Sequence, residues 1–174
     1  MKGLVHIYEG TGKGKSTAGV GLTIRCAGNG FSVVYSQFLK DGTTGEMNIL
    51  RKIPNITVLV EEHHFGFSFL MTPEEKVEAK AAYTALFEKV KAAAVEQNAR
   101  LLVMDEMLDL CNAELIDTAM VVDFLKNRPE QLEVVMTGRN PKPELVELAD
   151  YITNMNAVKH PFEKGVPARK GIEM

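Results

Sequence analysis

The stretch GLVHIYEGTGKGKSTAGVG, Gly3 to Gly21, constrains the fold of this chain more than any other. An apolar run stops at a loop with glycine at positions 10, 12 and 14, and a helix-like segment follows. Alternating glycines let the backbone turn tightly and aim several N–H groups at one anion, and the start of the next helix adds its positive end. Lys15 can reach phosphate oxygens, the Ser16 hydroxyl can ligate Mg²⁺, and Lys13 is a further cation inside the loop. The candidate phosphate-binding set is therefore Gly10, Thr11, Gly12, Lys13, Gly14, Lys15, Ser16 and Thr17. The alternative is a glycine-rich turn with no ligand, but strand, loop and helix occur in the order phosphate binding requires. One detail departs from the usual G-x-x-x-x-G-K-[ST] spacing: Glu9 holds the place of the first glycine, with Gly10 one position later. That weakens the case for an ordinary phosphoryl-transfer loop.

Strand and helix signals alternate along the rest of the chain. After Lys15 a helix runs to Gly28-Asn29-Gly30, and FSVVYSQFL, ITVLVEE, RLLVMDE and LEVVMTGR read as further strands. DGTTGEMNILRKIPN reads as a loop and short helix. Pro73 to Gln97 is the clearest helix, with Glu74 and Glu75 at its positive end and Tyr83, Phe87, Val90 and Ala94 on one face. AELIDTAMVVDFLKNR and PELVELADY read as helices, and the remainder as a brief apolar start before a polar tail. Five strands, nearly all apolar and separated by helices, predict an α/β fold on a mostly parallel sheet. With 174 residues, 45% of them hydrophobic, one domain spanning 1–174 is expected, its residues 157–174 a polar tail. In such sheets ligands bind beyond the carboxyl ends of the strands. Those ends carry Glu9-Gly10, Gln37-Phe38, Asp105-Glu106 and Thr137-Gly138-Arg139.

Asp105 and Glu106, closing an apolar strand, suit Mg²⁺ opposite a phosphate loop. An acid at a strand end is common and often only solvated; beside the loop it gains meaning. Mg²⁺ with a nucleoside triphosphate is the ligand inferred from the residues. The formal charge of −3 gives no overall pull toward nucleic acid or a membrane surface. Cys26 and Cys111 form no CxxC, which suggests reduced thiols in the cytoplasm. His6 reads as a core residue, His63-His64 as an exposed loop pair in preference to a metal pair, and His160 is undetermined. No catalytic base stands out by spacing. An ATPase, a nucleoside kinase and a non-catalytic carrier all stay open at this point.

Several segments together resemble a known family. GTGKGKST, QFLK followed by GE, GFSF, VMDE, TGR and ADYITNMNAVKHPFEKGVPARKGIE occur in the order found in ATP:corrinoid adenosyltransferases of the CobA/BtuR/CobO type. The family loop is typically G-N-G-K-G-K-T-T; here Thr11 replaces Asn and Ser16 replaces Thr, and neither change removes a needed group. The resemblance implies a P-loop NTPase-like (RecA-like) fold and ATP lying in the loop in the reverse sense. It implies transfer of the adenosyl group to cobalt(I) of a corrinoid, with triphosphate leaving. It places Lys15 on the departing charge and Ser16, Asp105 and Glu106 near Mg²⁺. Glu106 is the favoured ligand of the two acids.

The resemblance also implies aromatic side chains under the corrin that expel its lower ligand. Where the family reads roughly G-F-T-W, this chain has Gly66-Phe67-Ser68-Phe69, so Phe67 matches and Phe69 stands in place of Trp. The alternative is that both rings pack in the core. A reductant such as flavodoxin or reduced flavin and a homodimer are family expectations. Many relatives carry an extra segment before the first strand. Here the strand begins by Gly3, so cover for the site is expected from the C-terminal tail, with its four cations (Lys159, Lys164, Arg169, Lys170) against two acids.

Overall fold

In the computed structural model, which describes residues 2–63, 65–66 and 68–173, the apolar runs become strands of one sheet. β1 (Val5–Glu9) enters the glycine loop and α1 (Lys15–Gly28) leaves it. β2 (Val33–Gln37), α2 (Met47–Leu50), β3 (Ile56–Val60) and α3 (Pro73–Glu96) follow. Then come β4 (Leu101–Asp105), α4 (Met107–Asn112), α5 (Thr118–Asn127), β5 (Glu133–Gly138), α6 (Pro143–Val146) and β6 (Tyr151–Asn154). The strand order is β3-β2-β4-β5-β1-β6, and every pairing is parallel. β5 therefore lies between the loop strand β1 and the acid strand β4.

Alternation along buried strands supplies two cores. In β4, Leu102 and Met104 face the larger core with α3, α4 and α5, whereas Leu101 and Val103 face the other with α1 and α2. Burial on both faces is why these strands read as continuous apolar runs. α3 buries Tyr83, Phe87, Val90 and Ala94, the face its spacing predicts. Thr72 and Glu75 form a reciprocal capping box at its start, a device worth about 1 kcal/mol.

Three elements differ from the sequence expectation. α5 starts at Thr118, because Asp117 accepts from Ala119 N at 2.9 Å and Glu114, at φ 59°, breaks any helix from Ala113. The six-residue α4 was not expected at all. β6 is a sixth strand where only an apolar start to the tail was foreseen. All four of its residues are exposed, so no burial pattern marks it; hydrogen bonding along β1 does, with Asp150 N donating to Val5 O at 2.8 Å.

Candidate functional site

The carboxyl ends of β1, β2, β4 and β5 open on a cleft of about 1120 Å³. At its floor the glycine loop is held by the segment after β6. Gly12 N donates to Met155 O at 2.6 Å, and a Cβ on either Gly10 or Gly12 would stand 2.6 Å from that oxygen. Gly10 and Gly14 also have φ of 122° and 115°, which side chains disfavour. No side chain caps α1, whose N-terminus meets the cleft at Lys15, Ser16 and Thr17. Lys15 Nζ donates to Gly10 O at 2.7 Å and Gly12 O at 2.8 Å, so its ammonium folds over its own loop. Burial and then Arg139 pull the Lys15 pKa down, against Asp109, Glu106 and Asp105. Lys13 Nζ donates to Ile172 O at 2.8 Å, and Thr11 Oγ1 accepts from Ala157 N at 3.4 Å.

Opposite the loop stands the acid pair. Asp105 is fully buried: Oδ1 accepts from Thr137 Oγ1 at 2.6 Å, and Oδ2 accepts from Lys40 Nζ at 3.0 Å and Gln37 Nε2 at 3.4 Å. Glu106 lies at φ 63°, donates its backbone N–H to Thr137 Oγ1 at 2.9 Å, and faces Lys40 Nζ at 3.0 Å. Glu106 lines the cleft; Asp105 sits behind it. Burial pushes the Glu106 carboxyl up, Lys40 offsets part of this, and Asp105 adds to it. Lys40 also reaches Ser16 Oγ at 3.5 Å. Its ammonium is raised despite burial, because Asp105 and Glu106 outweigh the loss of water.

The oxygen atoms of Ser16, Asp105 and Glu106 already surround one cation, the Lys40 ammonium, and are the hard donors Mg²⁺ prefers. Among the described residues no group of three or more His, Cys, Asp or Glu side chains could hold a metal by itself. A dication here would need phosphate oxygens to complete its shell.

On the outer rim lie Gly66, Ser68 and Phe69. Phe69 is 77% exposed, so the core-packing alternative does not describe it; Phe67 lies outside the described residues. The tail contributes Gly171, Ile172 and Glu173 to the cleft wall, while Arg169 is bound by the Glu173 carboxylate at 2.9 Å.

The histidines stand apart. His6 is half-buried, with Nε2 2.6 Å from Glu133 Oε1, rather than in the core. His63 is exposed and meets Phe65 edge-on; His64 lies outside the described residues. His160 accepts from Phe162 N at 3.2 Å.

Sequence reasoning missed Asp109 and assigned no role to Lys40 or Arg139, which it met only within QFLK and TGR. Gly138 carried a signal: at φ 144°, its missing Cβ would lie 2.5 Å from Asp109 Oδ2, so the glycine admits that acid. Burial raises the Asp109 carboxyl, and Arg139 partly offsets it. No helix among the described residues is long and apolar enough to cross a membrane.

A family model described as ATP:corrinoid adenosyltransferase BtuR/CobO/CobP matches residues 1–174. Corrinoid adenosyltransferases are similar to the chain in sequence: one from Sinorhizobium sp is 34% identical over 99% of this chain and 80% of its own length. Those of Pseudomonas aeruginosa and Escherichia coli K12 are 31% and 30% identical, each over 99% of this chain and over 84% and 86% of their own lengths. Among solved structures, the cytoplasmic domain of EssC superposes with TM-score 0.53 at 16% identity. ATPases 2 and 3 of Thermomonospora curvata EccC, solved with a signal sequence peptide, give 0.52 at 17%. This chain is covered to 97% in both cases but spans only 35% of either structure, and the likeness establishes the fold: a P-loop NTPase-like, RecA-like parallel sheet flanked by helices.

Proposed function

We propose that this chain, which belongs to the ATP:corrinoid adenosyltransferase family BtuR/CobO/CobP, transfers the 5′-deoxyadenosyl group of ATP to cobalt(I) of a corrinoid. The cobalt–carbon bond forms as the C5′–oxygen bond breaks, and the electron pair leaves with triphosphate. The observation that carries this reading is a single cleft with the glycine loop on its floor and a rim of Gly66, Ser68 and the exposed Phe69 above it.

The chemistry suits that layout. Cobalt(I) is the nucleophile and no proton has to be moved, so the protein has to place two reactants and balance a departing charge. The loop amides and Lys15 serve the triphosphate; Lys13 and Arg139, which lines the same cleft, add positive charge. Gly10, Thr11, Gly12, Gly14 and Thr17 shape the cradle. Ser16, Asp105 and Glu106 would hold Mg²⁺, which when bound neutralises phosphate charge. Phe67 and Phe69 would give the corrin a dry lower face from which the axial ligand is expelled, easing reduction of cobalt(II) by an external donor. From the tail that begins at Ala157, Gly171, Ile172 and Glu173 close one side of the cleft as part of the same domain.

The test is incubation of the protein with cob(I)alamin and ATP–Mg²⁺, followed by product analysis. Adenosylcobalamin and triphosphate in equal amounts are expected. Release of ADP and phosphate alone would replace this reading with an ATPase or kinase, and tight binding of both ligands without turnover would make the protein a carrier.

A further inference from the structure

Lys40 has no role in the reading above, yet it sits at the centre of the most connected polar group in the cleft. Its Nζ lies 3.0 Å from Asp105 Oδ2, 3.0 Å from Glu106 Oε1 and 3.5 Å from Ser16 Oγ. These are the same three oxygen donors that suit a dication. Two of the residues that shape this cluster have backbones in the left-handed region: Leu39, directly before Lys40, at φ 57°, and Glu106 at φ 63°. Neither is glycine, and side chains disfavour such a backbone. Strain of this kind at both sides of one ion pair marks a geometry held for use rather than for stability.

We propose that Lys40 is a placeholder cation. Its ammonium fills the position between Ser16, Asp105 and Glu106 while the cleft is empty, and gives it up only to a dication that arrives with a triphosphate. A fully buried carboxylate, Asp105, beside a partly buried one, Glu106, is costly without compensation, so something positive has to occupy the site at every stage. A dication alone would have to evict the ammonium with few ligands, since among the described residues the oxygens around that ammonium come from two carboxylates and a hydroxyl. A dication carrying phosphate brings both its missing oxygens and a negative partner for the displaced ammonium. Lys40 is in this sense a positioning residue, and it makes metal binding conditional on nucleotide.

The inference rests on the reading that a triphosphate with its dication enters this cleft, but its test does not depend on cobalt chemistry. Mn²⁺ alone is titrated into nucleotide-free protein and the resonance of free Mn²⁺ is followed. Lys40→Met and Lys40→Gln are expected to bind Mn²⁺ about tenfold or more tighter than the native chain, and ATP is expected to narrow that gap. Mn²⁺ is also expected to raise the melting temperature of either variant more than that of the native protein. Equal affinity in native and variant proteins overturns the proposal. If neither variant folds, native protein suffices: micromolar Mn²⁺ binding without nucleotide, abolished by Glu106→Gln, overturns it as well. Failure of the adenosylcobalamin assay with a normal Mn²⁺ result would reject the reaction and leave the placeholder standing.

Discussion

At the loop end of the cleft the Gly12 N–H meets the Met155 carbonyl at 2.6 Å, Lys15 spans two carbonyls, and Asp105 is sealed behind Thr137 and Lys40. At the opposite rim Phe69 and Leu70 stand 77% and 71% exposed. One end has its backbone framework set before any ligand arrives, with the Lys15 and Lys40 ammoniums left to shift; the other presents exposed apolar area. Preorganised donors act on developing charge without reorganising, which suits a departing polyanion. Exposed rings gain by burial, which suits a macrocycle. Each end thus carries the physics of the ligand proposed for it.

The contrast can be broken most forcefully at Lys15. Lys15→Ala is expected to lower turnover by about a hundredfold or more while corrinoid binding is retained; a matching loss of corrinoid affinity would mean the two ends are not separate. Gly12→Ala comes next. Its Cβ would stand 2.6 Å from Met155 O, and overpacking of this kind costs about 1–3 kcal/mol, so both melting temperature and ATP affinity should fall.

Phe69→Ala tests the other end. Reduction-coupled turnover from cobalt(II) should drop about tenfold, with preformed cobalt(I) consumed at close to the native rate and the melting temperature unchanged. Equal losses in both assays would remove the lower-ligand role. The smallest effect is on stability. The Glu106 carboxyl is raised in the folded state, chiefly by burial, so its ionised form costs stability at neutral pH. That cost is absent below the unfolded carboxylate pKa and is fully felt once the pH rises past the folded one. Glu106→Gln should therefore melt slightly higher than the native chain at neutral pH, with the difference vanishing in acid, even as dication-dependent turnover is lost. Thermal melts across that pH range decide it.

The same contrast explains what could be read without coordinates. Strands β2, β4 and β5 announce themselves because burial on both faces forces apolar runs, β1 and β3 do so as partly buried apolar runs, and the loop does so because close backbone approach forces glycine. β6 has neither mark: its residues are exposed and it is defined by backbone pairing with β1. The role of Lys40 was illegible for a related reason. A lysine after a strand is ordinarily solvated, and its partner Asp105 lies 65 residues away in sequence, so only the adjacency of β2 and β4 brings them together. Arg139 and Asp109 likewise meet across the end of β5. Patterns within one element were legible; charge pairs between elements were not.

The placement of β5 between β1 and β4 has a consequence for how such a site can change over time. The phosphate loop and the acid pair are spaced by two inter-strand steps, about 9.6 Å in all, and main-chain hydrogen bonds set that gap. Substitutions can recolour the walls, swap Thr for Asn in the loop or Phe for Trp on the rim, and leave the width untouched. The sheet acts as a gauge block, so the chemistry on either side can drift while the distance it has to bridge is inherited intact.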